Sequence, residues 1–135
     1  MKNYKILIVD KEKSYREELC SLLAASAAGY RTAHAGSARE ARDLAAGFRP
    51  YLIVTDVLLP DGDGVDLYED LRDIRPDLPA LFLCTDELDE ARLRGLEIPA
   101  DCRMMRNKAK SELAARAEKL LQRFSEKAAT IPEES

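Results

Sequence analysis

Two apolar runs in this chain each end on an aspartate: Ile6-Leu7-Ile8-Val9-Asp10 and Tyr51-Leu52-Ile53-Val54-Thr55-Asp56. Unbroken Ile, Leu and Val without polar alternation is the pattern of a strand covered on both faces, and such strands belong to parallel sheets with helices on either side. An acid at the carboxyl end of such a strand stands where open α/β sheets keep their ligand sites. The second run leads directly into the turn Pro60-Asp61-Gly62-Asp63-Gly64.

The remaining pattern alternates helix and strand. Tyr15, Leu19, Leu22, Leu23 and Ser26 recur at helical spacing, and Gly29 stands where that helix stops. Residues 30–35 read as a second strand. Ser37 with Glu40 makes a capping box ahead of Ala41, Leu44, Ala45 and Phe48. After the run into Asp56, Leu67, Leu71 and Ile74 carry a helix closed by Pro76 and Pro79, and residues 80–85 give a fourth strand. Residues 86–96 are weakly helical, 102–105 form a fifth strand, and Leu113, Ala117, Leu120, Leu121 and Phe124 mark a last amphipathic helix. Five strand-helix units joined by short connections predict parallel strands with right-handed crossovers, a doubly wound α/β sheet. One domain is expected over residues 1–125, with a frayed tail at 126–135.

At 135 residues, 46% hydrophobic and 34% charged, the chain suits a single core. A net charge of -4 argues against binding nucleic acid or an anionic membrane through the whole surface. No apolar stretch approaches a membrane span and the amino terminus lacks a signal-peptide pattern, so a cytoplasmic location is expected. Cys20, Cys84 and Cys102 are odd in number, far apart and set among apolar residues, the pattern of packing thiols rather than of a disulfide or zinc framework. The single histidine, His34, has no serine or cysteine motif around it and reads as a surface or strand-end residue.

In the flavodoxin-like strand order 2-1-3-4-5, strands one and three are neighbours, which puts Asp10 and Asp56 in one pocket. The segment Asp56-Val57-Leu58-Leu59-Pro60-Asp61-Gly62-Asp63-Gly64, with a proline four and a glycine eight residues after the aspartate, resembles the receiver domain of two-component response regulators, the CheY-like family. The strand ending at Thr85 and Ala100-Asp101 ahead of the fifth strand fit the same pattern. The resemblance implies a flavodoxin-like (βα)5 sandwich with Asp56 as phosphoacceptor for a histidine kinase or phosphotransfer protein. It implies Mg2+ held by Asp10, Asp56 and the backbone carbonyl of Leu58. Thr85 would hydrogen-bond the phosphoryl group and Arg106 would pair with it. The implied role is a signalling domain, not an independent enzyme, with a downstream protein partner and, through the last-helix face, a route to a homodimer.

Five positions depart from the family pattern. Lys11 replaces the second acid after strand one, the direct metal ligand. Pointing inward, it would repel a divalent ion about 5 Å away by roughly 6 kcal/mol at an effective dielectric of about 20; swung into water, it would only weaken metal affinity. Arg106-Asn107 replace a lysine and proline, with Lys108 a nearby substitute cation. Asp86 follows Thr85 where a small residue is usual, and reads either as an obstacle to phosphate or as a helix cap. Arg103 stands in place of an aromatic switch residue. Two functions therefore stand: a phosphorylatable receiver, and a pseudo-receiver in which Lys11 or Arg106 clamps Asp56 and the domain acts as a phosphorylation-independent interaction module. The basic stretch Arg103, Arg106, Lys108 and Lys110 is either a partner surface or a solvated loop. A phosphatase or nucleotide enzyme is disfavoured, because Asp56-Val57-Leu58 lacks a second acid and there is no Walker loop.

Overall fold

The computed structural model describes residues 4–130, with side chains as far as residue 123. The elements are β1 (Lys5–Val9), α1 (Lys13–Ala24), β2 (Arg31–Ala35), α2 (Ala38–Phe48), β3 (Leu52–Asp56), β4 (Leu58–Leu59), β5 (Gly62–Asp63), α3 (Gly64–Leu71), β6 (Ala80–Cys84), α4 (Glu87–Gly95), a 3-10 turn (Ala100–Cys102), β7 (Arg103–Met105) and α5 (Lys110–Thr130). The main sheet has the order β2-β1-β3-β6-β7 and is parallel throughout. Setting aside the two-residue antiparallel ladder of β4 with β5, this is the expected order 2-1-3-4-5 of a flavodoxin-like fold.

Alternate residues of the central strands feed two cores. Ile6 and Ile8 pack with Leu19 and Leu23 of α1 and with Leu113, Ala117, Leu120 and Leu121 of α5. Leu7 and Val9 pack on the other face with Ala41 and Ala45 of α2, Leu67 and Leu71 of α3 and Leu93 of α4. Ile6, Leu7, Ile8 and Val9 are all fully buried, which is why that strand reads as an unbroken apolar run. Each such burial contributes about 1.5–3 kcal/mol.

Ser37 caps α2 as expected, its Oγ accepting the Glu40 N–H at 3.1 Å, while Glu40 reaches back to the Gly36 N–H at 3.2 Å. Ser37→Ala is expected to cost about 1 kcal/mol in urea unfolding; no measurable loss would contradict the cap.

Several boundaries move. Ile74 lies beyond the end of α3 at Leu71, in turns that precede Pro76. Cys102 belongs to the 3-10 turn, not to the fifth strand. Leu22 is on the outer side of α1, 42% exposed. The side chain of Phe124 lies outside the described residues, as do residues 131–135 of the expected tail. All three cysteines are free; Cys20 and Cys84 are buried and Cys102 is half-buried. Among the described residues no helix is long and apolar enough to cross a membrane.

Candidate functional site

Val9 lies opposite Thr55 in the β1–β3 pairing, so the next residues, Asp10 and Asp56, leave the sheet side by side at its carboxyl edge. Neither reaches water: Asp10 is 0% and Asp56 1% exposed. The Asp10 N–H donates to the Ala35 carbonyl at 3.1 Å, and its Oδ1 accepts the Glu12 N–H at 2.8 Å. The Asp56 carbonyl accepts the Thr55 hydroxyl at 3.0 Å, and its Oδ2 lies 3.4 Å from the donating Lys11 N–H. Gly64 crosses directly behind: its N–H donates to the Val57 carbonyl at 2.7 Å, and a Cβ at residue 64 would lie 2.0 Å from the Asp56 carbonyl oxygen. The glycine eight residues after Asp56 is therefore required by close backbone approach.

Arg106 closes the pocket. Its N–H donates to the Cys84 carbonyl at 2.7 Å, its carbonyl accepts the Tyr15 hydroxyl at 3.0 Å, and its guanidinium stacks 4.0 Å from the Tyr15 ring centroid. So held, the side chain turns back over the sheet edge. Nε and Nη2 donate to the two Asp10 oxygens at 2.8 Å each, a bidentate fork. Nη2 also reaches Glu12 Oε1 at 3.0 Å, and Nε stands 3.3 Å from Asp56 Oδ1. Because the Nε–H is directed at Asp10, Asp56 Oδ1 is in an ion pair yet accepts no hydrogen bond. One guanidinium thus serves three carboxylates.

Burial and the neighbouring Asp10 carboxylate push the Asp56 carboxyl up to about 7, with Arg106 and the Lys11 N–H opposing. The same pairing holds Arg106 cationic, chiefly through its hydrogen bonds to Asp10. An acid whose folded value is raised binds more protons folded than unfolded, so its contribution to stability falls as pH rises from the ordinary carboxylate range through about 7. Asp56→Asn is accordingly expected to stabilise the chain by about 1 kcal/mol or more near pH 8, and by much less near pH 4. Urea unfolding at the two pH values checks this; an equal effect at both would contradict it.

The expected site residues are only partly brought together. Asp10, Asp56 and Arg106 meet. Lys11 is exposed, its charge in water rather than in the pocket. Thr85 is exposed at the end of β6, its N–H donating to Asp89 Oδ2 at 2.9 Å. Asp86 is the N-cap of α4, accepting the Asp89 N–H at 3.0 Å. Leu58 sits in β4 with its side chain 60% exposed. Lys108 does not substitute for Arg106; it lines a separate cavity beside β7. The basic stretch is therefore not one patch: Arg106 is in the acidic pocket, Lys110 pairs with Glu18 at 3.2 Å, and Arg103 and Lys108 face the other cavity. Sequence reading missed Glu12 and Tyr15, which meet Arg106 across 94 and 91 residues, a separation no local pattern marks.

This architecture defines a receiver domain. The family model for the response regulator receiver domain matches residues 6–118, and the chain belongs to that family. It is 38% identical over 119 residues to the response regulator MprA of Mycolicibacterium vanbaalenii, covering 88% of this chain and 51% of that protein. The MprA of Mycobacterium avium is 36% identical with the same coverage. The chain spans about half the length of these curated relatives. Among solved structures, the non-phosphorylated HemR receiver domain from Leptospira biflexa is 29% identical with a TM-score of 0.74, covering 98% of each chain. Chemotaxis response regulator CheY4 of Vibrio cholerae is 27% identical with a TM-score of 0.71, covering 90% of this chain and 98% of that one. The family serves two-component signalling rather than catalysis, and its members act with histidine kinases and downstream effectors.

Receiver domains typically bind Mg2+ in this acidic pocket. Here both pocket carboxylates already face the Arg106 guanidinium. Among the described residues no group of three or more His, Cys, Asp or Glu is arranged to hold a metal. The residues as placed fit a guanidinium, not a divalent cation.

Proposed function

We propose that this receiver acts as a phosphorylation-independent interaction module, its acidic pocket neutralised from within by Arg106. The observation that carries this reading is the bidentate fork of Arg106 on Asp10, with Glu12 and Asp56 on the same guanidinium. Phosphoryl transfer to an aspartate needs an ionised, approachable carboxylate oxygen and a cation placed to take charge from the transferring oxygens. Asp56 is 1% exposed and raised toward neutrality, and the resident cation is engaged with Asp10. A pocket closed in this way holds one conformation, which suits constitutive docking to a partner protein. The test is the intact mass after incubation with a small phosphodonor and Mg2+. No added phosphoryl group is expected; a substantial gain that Asp56→Asn abolishes would overturn the reading.

One observation favours the other reading, in which Asp56 accepts a phosphoryl group from a histidine kinase. Asp56 Oδ1 is buried without a hydrogen-bond donor, an oxygen with unused acceptor capacity at the expected nucleophile. That reading requires Arg106 to leave Asp10 and Thr85 to turn toward the phosphoryl group.

A further inference from the structure

A second pocket, independent of the acidic one, lies at the outer edge of the sheet beside β7, between α4 and α5. It encloses about 220 Å³. Its apolar lining is Cys84, Ala100, Met104 and Met105, and its charged lining is Arg103, Lys108, Arg116 and a single acid, Glu90. The acid does not neutralise the cations: Glu90 lies 4.0 Å from Arg94 of its own helix, and Arg116 spends its Nη1 on the Ala100 and Asp101 carbonyls at 3.4 and 3.0 Å. Among the described residues neither Arg103 nor Lys108 has a carboxylate within ion-pair distance.

Arg103 carries the second observation. Its Nε is buried and has no hydrogen-bond acceptor among the described residues. A buried donor on a permanently charged group is costly to leave unmatched, and native structures match such groups with an acceptor from the protein, water or a ligand. That atom is itself closed to the cavity, but it belongs to a guanidinium that lines a cavity of excess positive charge with no ion-pair partner among the described residues.

We propose that this cavity binds a small organic anion: a carboxylate or phosphate on a compact apolar body. The acid group is met by the Arg103 guanidinium, which lines the cavity without a carboxylate partner, and is neutralised by Lys108 and Arg116, while the apolar body lies against Met105 and Cys84. The volume sets the size. It is smaller than the roughly 300–1,000 Å³ of drug-sized sites, so the occupant has on the order of ten non-hydrogen atoms. Planar recognition by an arginine fork favours carboxylate and phosphate over a spherical anion. Cys84 adjoins both sites, its carbonyl holding the Arg106 backbone, but none of the cavity's charged residues contacts Asp10, Glu12 or Asp56, so its occupancy is expected to be independent of the state of Asp56.

The experiment titrates the whole chain with benzoate, phenyl phosphate and inorganic phosphate, and with benzyl alcohol as the uncharged control. Binding is followed by calorimetry and by the arginine Nε–H resonances. Saturable binding of benzoate or phenyl phosphate is expected, with inorganic phosphate weaker and benzyl alcohol silent. Arg103→Gln or Lys108→Gln should weaken binding about tenfold or more, the loss of one charge-assisted hydrogen bond or counter-ion. Asp56→Asn, which leaves the cavity intact, should leave affinity unchanged. No saturable binding at millimolar probe would overturn the proposal. Binding that survives Arg103→Gln and Lys108→Gln together, or that Asp56→Asn abolishes, would equally overturn it.

Discussion

Arg106→Leu is expected to destabilise the chain by about 3–5 kcal/mol at neutral pH, the cost of removing one partner from a buried ion pair. The substitution deletes the two 2.8 Å donors on Asp10 and the cation beside Asp56, leaving two carboxylates of 0% and 1% exposure with backbone N–H donors only. Buried acids without a counter-ion escape the penalty by binding protons. The loss should therefore shrink as pH falls toward the carboxylate range and grow above neutrality, because Asp56 is already raised to about 7 with Arg106 present. Arg106→Lys keeps the charge without the fork and should fall between the two proteins. Urea unfolding of all three at fixed salt reads these differences. A cost below about 1 kcal/mol for Arg106→Leu would place this contact among ordinary surface pairs and remove the ground for a clamp.

Gly64→Ala is the second large effect. The added Cβ would meet the Asp56 carbonyl oxygen at 2.0 Å and Thr55 Oγ1 at 3.2 Å. The obstructing atom is backbone in a fully buried strand, so the β3–α3 connection must shift, at about 3 kcal/mol or more. Gly47→Ala in α2 is the control, with nothing within 4 Å of its Cβ, and should stabilise by about 0.5–1 kcal/mol through helix propensity. Opposite signs at the two glycines would isolate close approach from backbone flexibility. A loss near zero at residue 64 would show that the turn has slack the packing denies.

The fold was legible because β1, β3 and β6 are buried on both faces, so each apolar run declares its strand without reference to anything distant. The capping pair Ser37 and Glu40 marked α2 by local hydrogen bonding alone. Boundaries failed where one residue serves tertiary contact rather than periodicity. Ile74 packs against the core from a turn, and apolar spacing reads it as helix. Asp10 and Asp56 were readable as neighbours from strand order, yet the state of their pocket was not. That depends on where Arg106 points, which is set by Tyr15 beneath its guanidinium and by Asp10 across the sheet. Lys11 illustrates the same limit. Sequence marks the lost acid, while only the fold places the lysine in water and gives the counter-ion role to a side chain from the opposite end of the chain.

A guanidinium stands between Asp10 and Asp56, where the family's divalent ion is expected. The most direct test is a Mg2+ titration of the wild-type chain at constant ionic strength, read as the shift in unfolding midpoint, which rises with ligand concentration for any ion that binds the folded state alone. No shift is expected for the wild type through millimolar Mg2+, and a rising midpoint for Arg106→Leu as Mg2+ takes the vacated charge position. A wild-type midpoint that rises and saturates at millimolar Mg2+ or below would contradict that expectation.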